Sequence, residues 1–248
     1  MVKKIIKFFI PFVLLNFLKK KREKILMNKF KKLDLGMVFE KIYKEKLWTS
    51  KTDKNNFKFY SGPGSHNEKF TNEYILKVNN FLKSFENKPS VVDLGCGDFE
   101  VSSKIFQNSS NFIGCDIFPD LIEQNKKKYI NDNLNFKVLD ITRDQIPAAD
   151  ICIIRCVLQH LSNKMIQQII NNIKNKFKFL IVTEHFPNND EFIPNIDIIS
   201  GPNIRLSKNS AVDLTKPPFD LKTVQNISIC KLYSDNFEGF LNTIIYKL

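Results

Sequence analysis

A chain of 248 residues, 43% hydrophobic and 26% charged, is long enough to bury the core of one large domain or two small ones, which excludes disordered, collagen-like and coiled-coil architectures. The formal net charge of +12 sits at one end: residues 1–34 hold 11 Lys and Arg against Glu23 and Asp34, leaving 27 basic and 24 acidic side chains in the rest. A near-neutral body behind a basic leader lacks the broad cationic face that tracks phosphates, so no nucleic-acid partner is expected. Cys96, Cys115, Cys152, Cys156 and Cys230 are odd in number and contain no Cys-x-x-Cys pair; reduced thiols are expected, with no disulfide framework and no metal site.

In the leader, Met1 to Lys24, the apolar stretch from Ile5 to Leu18 is interrupted by Lys7, Pro11 and Asn16, and falls short of the roughly 20 apolar residues of a spanning helix. No small-residue cleavage site precedes Lys19. Lys3, Lys4 and Lys7 share one helical face, and Ile5, Ile6, Phe9 and Val13 lie away from it. This suits a helix lying on an anionic membrane surface, where Lys19 to Arg22 add about 1 kcal/mol per cation. Packing on the domain itself, or a short uncleaved anchor, are the competing readings. The expected location is cytoplasmic, with peripheral contact to the inner membrane face. A cap or entrance segment is expected over residues 35–66, and the main domain over 67–248.

Within the main domain, helix-like and strand-like segments alternate. Glu68 to Ser84 carries a helical apolar stripe, and Ser90 to Leu94 is a short strand running into Gly95-Cys96-Gly97. Phe99 to Phe106 is predicted helical, Asn111 to Asp116 a strand, and Pro119 to Tyr129 a helix opened by its proline. Strands follow at Leu134 to Val138 and Asp150 to Arg155, then a helix from a Ser162 cap to about Lys176, then a strand at Phe179 to Thr183. The tail offers two more strands, about 223–230 and 239–246, with no room for a helix between them. The expected fold is α/β: a doubly wound, Rossmann-like sheet of about seven strands, mostly parallel with an antiparallel final strand, and helices on both faces.

In such a sheet ligands bind beyond the carboxyl ends of the strands, where strand order reverses. Gly95 and Gly97 let the backbone turn there and leave a ligand space against bare main chain. About 20 residues on, Asp116 ends the second strand, placed to accept from ribose hydroxyls. A nicotinamide dinucleotide site wants a third glycine near residue 100, but Glu100 stands there; an acid suits a cationic cofactor better than a pyrophosphate.

Val91-Val-Asp-Leu-Gly-Cys-Gly97 resembles the first motif of class I S-adenosylmethionine-dependent methyltransferases. Phe112 to Asp116 resembles their second-strand acid, Val138 to Ile141 their adenine-contacting segment, and Ala149 to Ile154 with Val157-Leu-Gln-His-Leu161 their fourth strand and its exit. The resemblance runs from about Val91 to Thr183 and implies S-adenosyl-L-methionine as cofactor. It implies that Gly95, Cys96 and Gly97 line the methionine moiety and that Asp93 braces the loop and the amino group. By the same resemblance Asp116, with Ile117, holds the ribose, Asp140 and Ile141 hold the adenine edge, and Arg155 joins the cofactor contacts.

Methyl transfer is an in-line displacement that gains mainly from alignment and needs a base only where the acceptor sheds a poorly acidic proton. His160, after the fourth strand, is the expected acid–base or acceptor-positioning residue; packing over the cofactor is the competing role. Gln159, His185 after the fifth strand and His66 in the turn-rich Phe59 to His66 segment are candidate acceptor contacts. The Trp48 to His66 region reads as an entrance flap or a plain surface loop. A substrate insertion is expected at about 186–222, where Arg205 and Asp213 would bind a charged or hydroxylated acceptor or else pair to hold the loop. Lys216-Pro-Pro-Phe219 comes too late in the chain to be the amine-gripping turn of nucleic-acid methyltransferases, and Glu184 alone does not make a metal-binding acid cluster. The expected reaction is O-methylation of a small molecule or glycan hydroxyl, the glycan on overall similarity to methyltransferases of glycan-modifying clusters. A nicotinamide-dependent oxidoreductase and a non-catalytic cofactor-binding module are the alternatives.

Overall fold

Strands apolar on both faces require cover on both sides, and the chain supplies it. A computed structural model describes residues 21, 25, 27–49, 58–189, 191–233 and 239–248. The interfacial face expected of residues 1–20 lies outside the described residues, as does the 50–57 part of the flap. Among the described residues no helix is long and apolar enough to cross a membrane.

The strands are β1 (Val91–Leu94), β2 (Phe112–Asp116), β3 (Leu134–Val138), β4 (Ile151–Arg155), β5 (Phe179–Phe186), β6 (Gln225–Tyr233) and β7 (Phe240–Lys247). They form one sheet in the order β3-β2-β1-β4-β5-β7-β6, parallel through β5, with β7 antiparallel to both β5 and β6. Strand order reverses between β1 and β4, and loops leaving those two strands diverge to leave a crevice. The helices are α1 (Leu35–Lys44), α2 (Pro63–His66), α3 (Glu68–Lys83), α4 (Pro119–Lys128) and α5 (Asn163–Ile173).

Side chains alternate across each strand, so β1 sends Val91 to one core and Val92 and Leu94 to the other. The first core joins Phe70, Tyr74, Val78 and Leu82 of α3 to Phe99, Phe106, Phe112 and Phe136. The second joins Ile166, Ile169, Ile170 and Ile173 of α5, with Leu35, Val38, Phe39 and Ile42 of α1. The face of α1 that reaches this core begins at a firm N-terminus, where the Asp34 carboxylate accepts from the Met37 N–H at 3.0 Å.

Three expectations are corrected. The helix predicted from Phe99 is absent: Phe99 has φ 63°, and two short 3₁₀ turns, Ser102–Lys104 and Phe106–Asn108, follow. Tertiary contacts decide this, since the Phe99 ring packs edge-on against Phe112, Tyr129 and Phe136 while Ser102 reaches back to Asp93. Helix α5 stops at Ile173 instead of about Lys176, and its first N–H is met by Asp197 at 2.7 Å, not by the Ser162 side chain. Strand β5 runs on to Phe186 because β7 continues to pair with it as far as Phe186↔Phe240.

Candidate functional site

The loops leaving β1, β2, β4 and β5 enclose a cavity of about 580 Å³ together with α1, the 61–67 segment and residues 202–207. That size suits a small organic ligand. Asp93, Gly95, Cys96, Gly97, Asp116, Ile117, Ile141, Arg155, Gln159, His160 and His185 all line it.

At the β1 end the backbone itself is the wall. Gly95 and Gly97 have φ of +81° and +58°, and a Cβ there would lie 2.4 Å from Val157 Cγ2 and 2.4 Å from Ser61 Oγ respectively. Only glycine fits both the left-handed turn and the space. The loop is held from three sides: Gly95 and Cys96 donate to the Cys115 carbonyl, Gly97 N–H donates to Asp116 Oδ2 at 3.1 Å, and the buried Asn125 amide donates to the Gly97 carbonyl at 2.7 Å. Asp116 Oδ1 also accepts from Phe118 N–H at 3.1 Å, and Asp93 accepts from the Ser102 hydroxyl at 2.6 Å.

A lid closes this end. Asp98 accepts from Ser61 N–H at 3.0 Å and meets His66 Nε2 at 2.6 Å, while its own N–H donates to Ser61 Oγ. The Arg155 guanidinium donates to the Gly64 and Phe70 carbonyls at 2.6 and 3.2 Å and lies over the Tyr74 ring. His66 therefore serves the lid's latch, stacked on Tyr60, and Arg155 ties the lid to the end of β4. Tyr43 of α1 stacks on Phe118 and touches Ser61, and Trp48 donates to the Pro202 carbonyl across the opening.

The far end is a chain of amides and imidazoles. His160 Nδ1 faces the Gly201 carbonyl at 3.2 Å, its Nε2 faces the Gln159 amide nitrogen at 3.4 Å, and its ring lies against Trp48. Gln159 Oε1 faces the N–H and Nδ1 of His185 at 3.2 and 2.6 Å. Beneath them Glu184 accepts from Leu158 and Gln159 N–H, both at 2.9 Å, and so pins the turn that leaves β4.

Four expectations about side chains do not hold. Arg205 is 1% exposed and donates to the carbonyls of Ile196, Leu158 and Leu161 and to Asn163 Oδ1, so it joins the insertion to the β4 exit and faces no acceptor. Asp213 spends its carboxylate on Thr215, and Asp140 on Thr142 and Arg143; neither lines the cavity, although Leu139 and Ile141 beside Asp140 do. Glu100 turns outward to Lys104 and Lys128 and gives the cavity no charge. For the three acids a nearer donor satisfies the carboxylate before a ligand can. Pro217 and Pro218 belong to a turn whose carbonyls are held by Asn195, away from the cavity.

Tyr43, Trp48, Ser61, Asp98 and Asn125 were missed as site residues. Asp98 next to Gly97 and the polar Asn125 on the apolar face of α4 carried the available signal; the others depend on long-range packing. Among the described residues no group of three His, Cys, Asp or Glu stands close enough to hold a metal.

Burial raises the carboxyls of Asp93, Asp116 and Glu184 to about 7, about 6 and about 8. Folding therefore takes up protons at these groups, and their contribution to stability falls as pH rises from the ordinary carboxylate range to those values. Burial depresses His160 and His185 to about 4 and about 3, so their contribution falls as pH drops below about 6.5. Between about pH 6.5 and 8 the carboxyls act alone. The thermal midpoint of the ligand-free protein is expected to fall across that interval, and less steeply in Asp93→Asn; a midpoint that rises in both would contradict these environments.

The arrangement fits a cationic nucleoside cofactor. Three carboxylates, Asp93, Asp98 and Asp116, converge on a cradle that a Cβ would fill, and burial disfavours the charge of Asp93 and Asp116 until a cation arrives.

Residues 92–178 match a family model described as a methyltransferase domain. None of the curated proteins matches the chain. Among solved structures, the N-methyltransferase NodS from Bradyrhizobium japonicum WM9, in complex with S-adenosyl-L-homocysteine, superposes with a TM-score of 0.50 at 14% identity, over 70% of this chain and 84% of that one. Human N-acetylserotonin methyltransferase, in complex with S-adenosylmethionine, gives 0.51 at 14% identity, over 83% of this chain and 61% of its own. The chain spans 60% of the length of TehB from Haemophilus influenzae. At such identities the likeness is one of fold.

Proposed function

We propose, from the match of residues 92–178 to a methyltransferase domain, that this chain is an S-adenosylmethionine-dependent methyltransferase acting on a hydroxyl of an uncharged small molecule or glycan end. When bound, the cofactor supplies an electrophilic methyl group on a sulfonium centre. Gly95, Cys96 and Gly97 would hold its methionine part through main chain, Asp93 its ammonium group, Asp116 its ribose, and Leu139 and Ile141 the flat face of its base.

The observation that carries the choice of acceptor is the distribution of charge in the cavity. The ionisable walls Asp93, Asp98, Asp116 and Arg155 all belong to the β1 end and its lid. Beyond Val157 the wall is Trp48, Gln159, His160, His185, Pro202, Asn203, Ile204 and Leu206, whose two imidazoles burial keeps neutral. An ammonium acceptor would find no carboxylate there, whereas a neutral hydroxyl meets amide and imidazole partners in an otherwise apolar setting.

Calorimetry is expected to show one site for S-adenosylhomocysteine and no heat with a nicotinamide dinucleotide; the reverse would return the chain to the oxidoreductases. Incubating the full chain with methyl-labelled cofactor and separated soluble and membrane fractions of a cell extract is expected to place label in base-stable ether linkage on an uncharged acceptor. Label on amines or carboxylates would overturn the acceptor class, and the labelled fraction would show whether the basic leader brings the enzyme to a membrane-bound substrate.

A further inference from the structure

The turn that leaves β4 forms the wall between the two ends of the cavity. Val157 stands on the glycine loop, where its Cγ2 lies 2.4 Å from a Cβ built at Gly95, and Gln159 and His160 follow it into the uncharged end. Cys156 opens the turn with φ 57°, a left-handed conformation that is costly for a residue with a side chain. Inside the turn His160 N–H donates to the Val157 carbonyl at 3.1 Å and Leu161 N–H to the Leu158 carbonyl at 3.0 Å, a single 3₁₀ turn of weak hydrogen-bond geometry. Such a segment keeps one path only when its neighbours impose it.

Two buried charges impose it, from opposite sides. Glu184 of β5, 1% exposed, accepts the Leu158 N–H on one oxygen and the Gln159 N–H on the other, both at 2.9 Å. Arg205 of the insertion, equally buried, donates to the Leu158 and Leu161 carbonyls at 2.9 and 2.6 Å. The acid takes the N–H groups of the turn and the base takes its carbonyls. Each charge favours the ionised form of the other across the intervening peptides, against the burial that disfavours both. A buried pair of charges is a weak source of stability, since apolar residues of the same volume often hold a fold as well. What this pair supplies is direction, because each bond fixes the plane of one peptide. Neither side chain lines the cavity.

We propose that Glu184 and Arg205 are paired positioning residues for the acceptor: by clamping the β4 exit from its N–H and its carbonyl sides, they fix Gln159 and His160 relative to the glycine loop. The insertion then acts on the reaction through main chain, without touching the acceptor. This rests on the hydroxyl-methylation reading above, which places the acceptor beyond Val157. Methyl transfer gains mainly from alignment, so a turn displaced by about 1 Å lowers the rate even where the fold survives.

Hydrogen exchange in the native full chain, without cofactor, reads the clamp directly. The Leu158 and Gln159 amides are expected to be protected as well as those of strand β4; exchange at the rate of an open loop overturns the clamp. Glu184→Gln keeps the volume but offers one oxygen and sets an NH₂ group against the second N–H. Arg205→Lys tests the same turn from its carbonyl side should the first variant not fold. The labelling assay described above is run at about pH 9, where Glu184, raised to about 8 by burial, is ionised in the native chain. Either variant is expected to lower methyl uptake by about 100-fold at saturating cofactor, with S-adenosylhomocysteine still bound. Trp48 is the only tryptophan of the chain and its ring lies 4.8 Å from that of His160, so its emission is expected to change in the same variants. Undiminished uptake, unchanged Trp48 emission, or an affinity for S-adenosylhomocysteine that falls as far as uptake does, overturns the positioning role. Failure of the native chain to bind S-adenosylhomocysteine is a separate result: it would remove the methyl-transfer reading, and the acceptor role with it, while the clamp stands or falls on hydrogen exchange.

Discussion

Replacing Arg205 with alanine is expected to lower the free energy of unfolding by about 4 kcal/mol, read as a shift in the urea midpoint at unchanged slope. The guanidinium is 1% exposed and donates to three main-chain carbonyls, those of Ile196, Leu158 and Leu161, and to Asn163 Oδ1. Alanine leaves the buried Leu161 carbonyl without a donor, reduces the Leu158 carbonyl to its bond from Leu161 N–H, and takes the Arg205 donor from the half-buried Ile196 and Asn163 oxygens; a buried acceptor left unmet costs about 1–3 kcal/mol, though water entering the space will restore some. Against a total stability of about 5–15 kcal/mol the loss is large. Arg205→Lys should recover little of it, because a single ammonium cannot span acceptors that a planar fork reaches from several sides. The effect should reach the cavity too, since Leu158 and Leu161 bracket Gln159 and His160. A midpoint shift worth less than about 1 kcal/mol in the alanine variant would show that the insertion is held by other means.

Asp116→Ala is expected to weaken S-adenosylhomocysteine binding by about 100-fold, or about 2.7 kcal/mol, measured by calorimetry. The carboxylate joins the two loops that form the cradle, accepting from Gly97 N–H on one side and Phe118 N–H on the other. Hydrogen bonds to a charged acceptor are worth more than neutral ones, and both donors lie in buried surroundings. Its removal loosens the left-handed turn at Gly97 and takes away the acid proposed to hold the ribose. Asp116→Asn is a sharper variant: one oxygen survives, but the new NH₂ group must face one of two N–H donors. Affinity in Asp116→Ala equal to that of the native chain would mean that the acid only shapes the loop and that the nucleoside lies elsewhere.

Much of the fold was legible because it rests on short-range pattern. The runs Val91-Val-Asp-Leu, Phe112-Ile-Gly-Cys-Asp116 and Ile151-Cys-Ile-Ile are apolar on both faces, which only a covered sheet accommodates, and each became a parallel strand. Gly95 and Gly97 were legible for the same kind of reason, since two glycines at a strand end announce a turn that side chains would block. Phe99 to Phe106 misled because its helical periodicity is real, but four aromatic rings and the Ser102–Asp93 bond hold the segment in another path.

The carboxylates separate what each level decides. Asp93, Asp98, Asp116, Asp140, Asp213, Glu100 and Glu184 are indistinguishable in sequence as acids beside strand ends or turns. Three converge on the glycine loop; the others are claimed by Thr142, Thr215, surface lysines or the N–H groups of the β4 exit. The amino-acid sequence by itself determined the sheet and the turn that makes its crevice, because backbone periodicity and glycine sterics act within a few residues; the class of cofactor was legible through the resemblance of its motifs to a known family. Which side chains face the cavity and which only brace its walls were decided by the tertiary structure alone. Hydrogen bonds between groups 26 to 91 residues apart, from Gln159 with His185 to Arg155 with Gly64, settle those questions, and no local pattern encodes them.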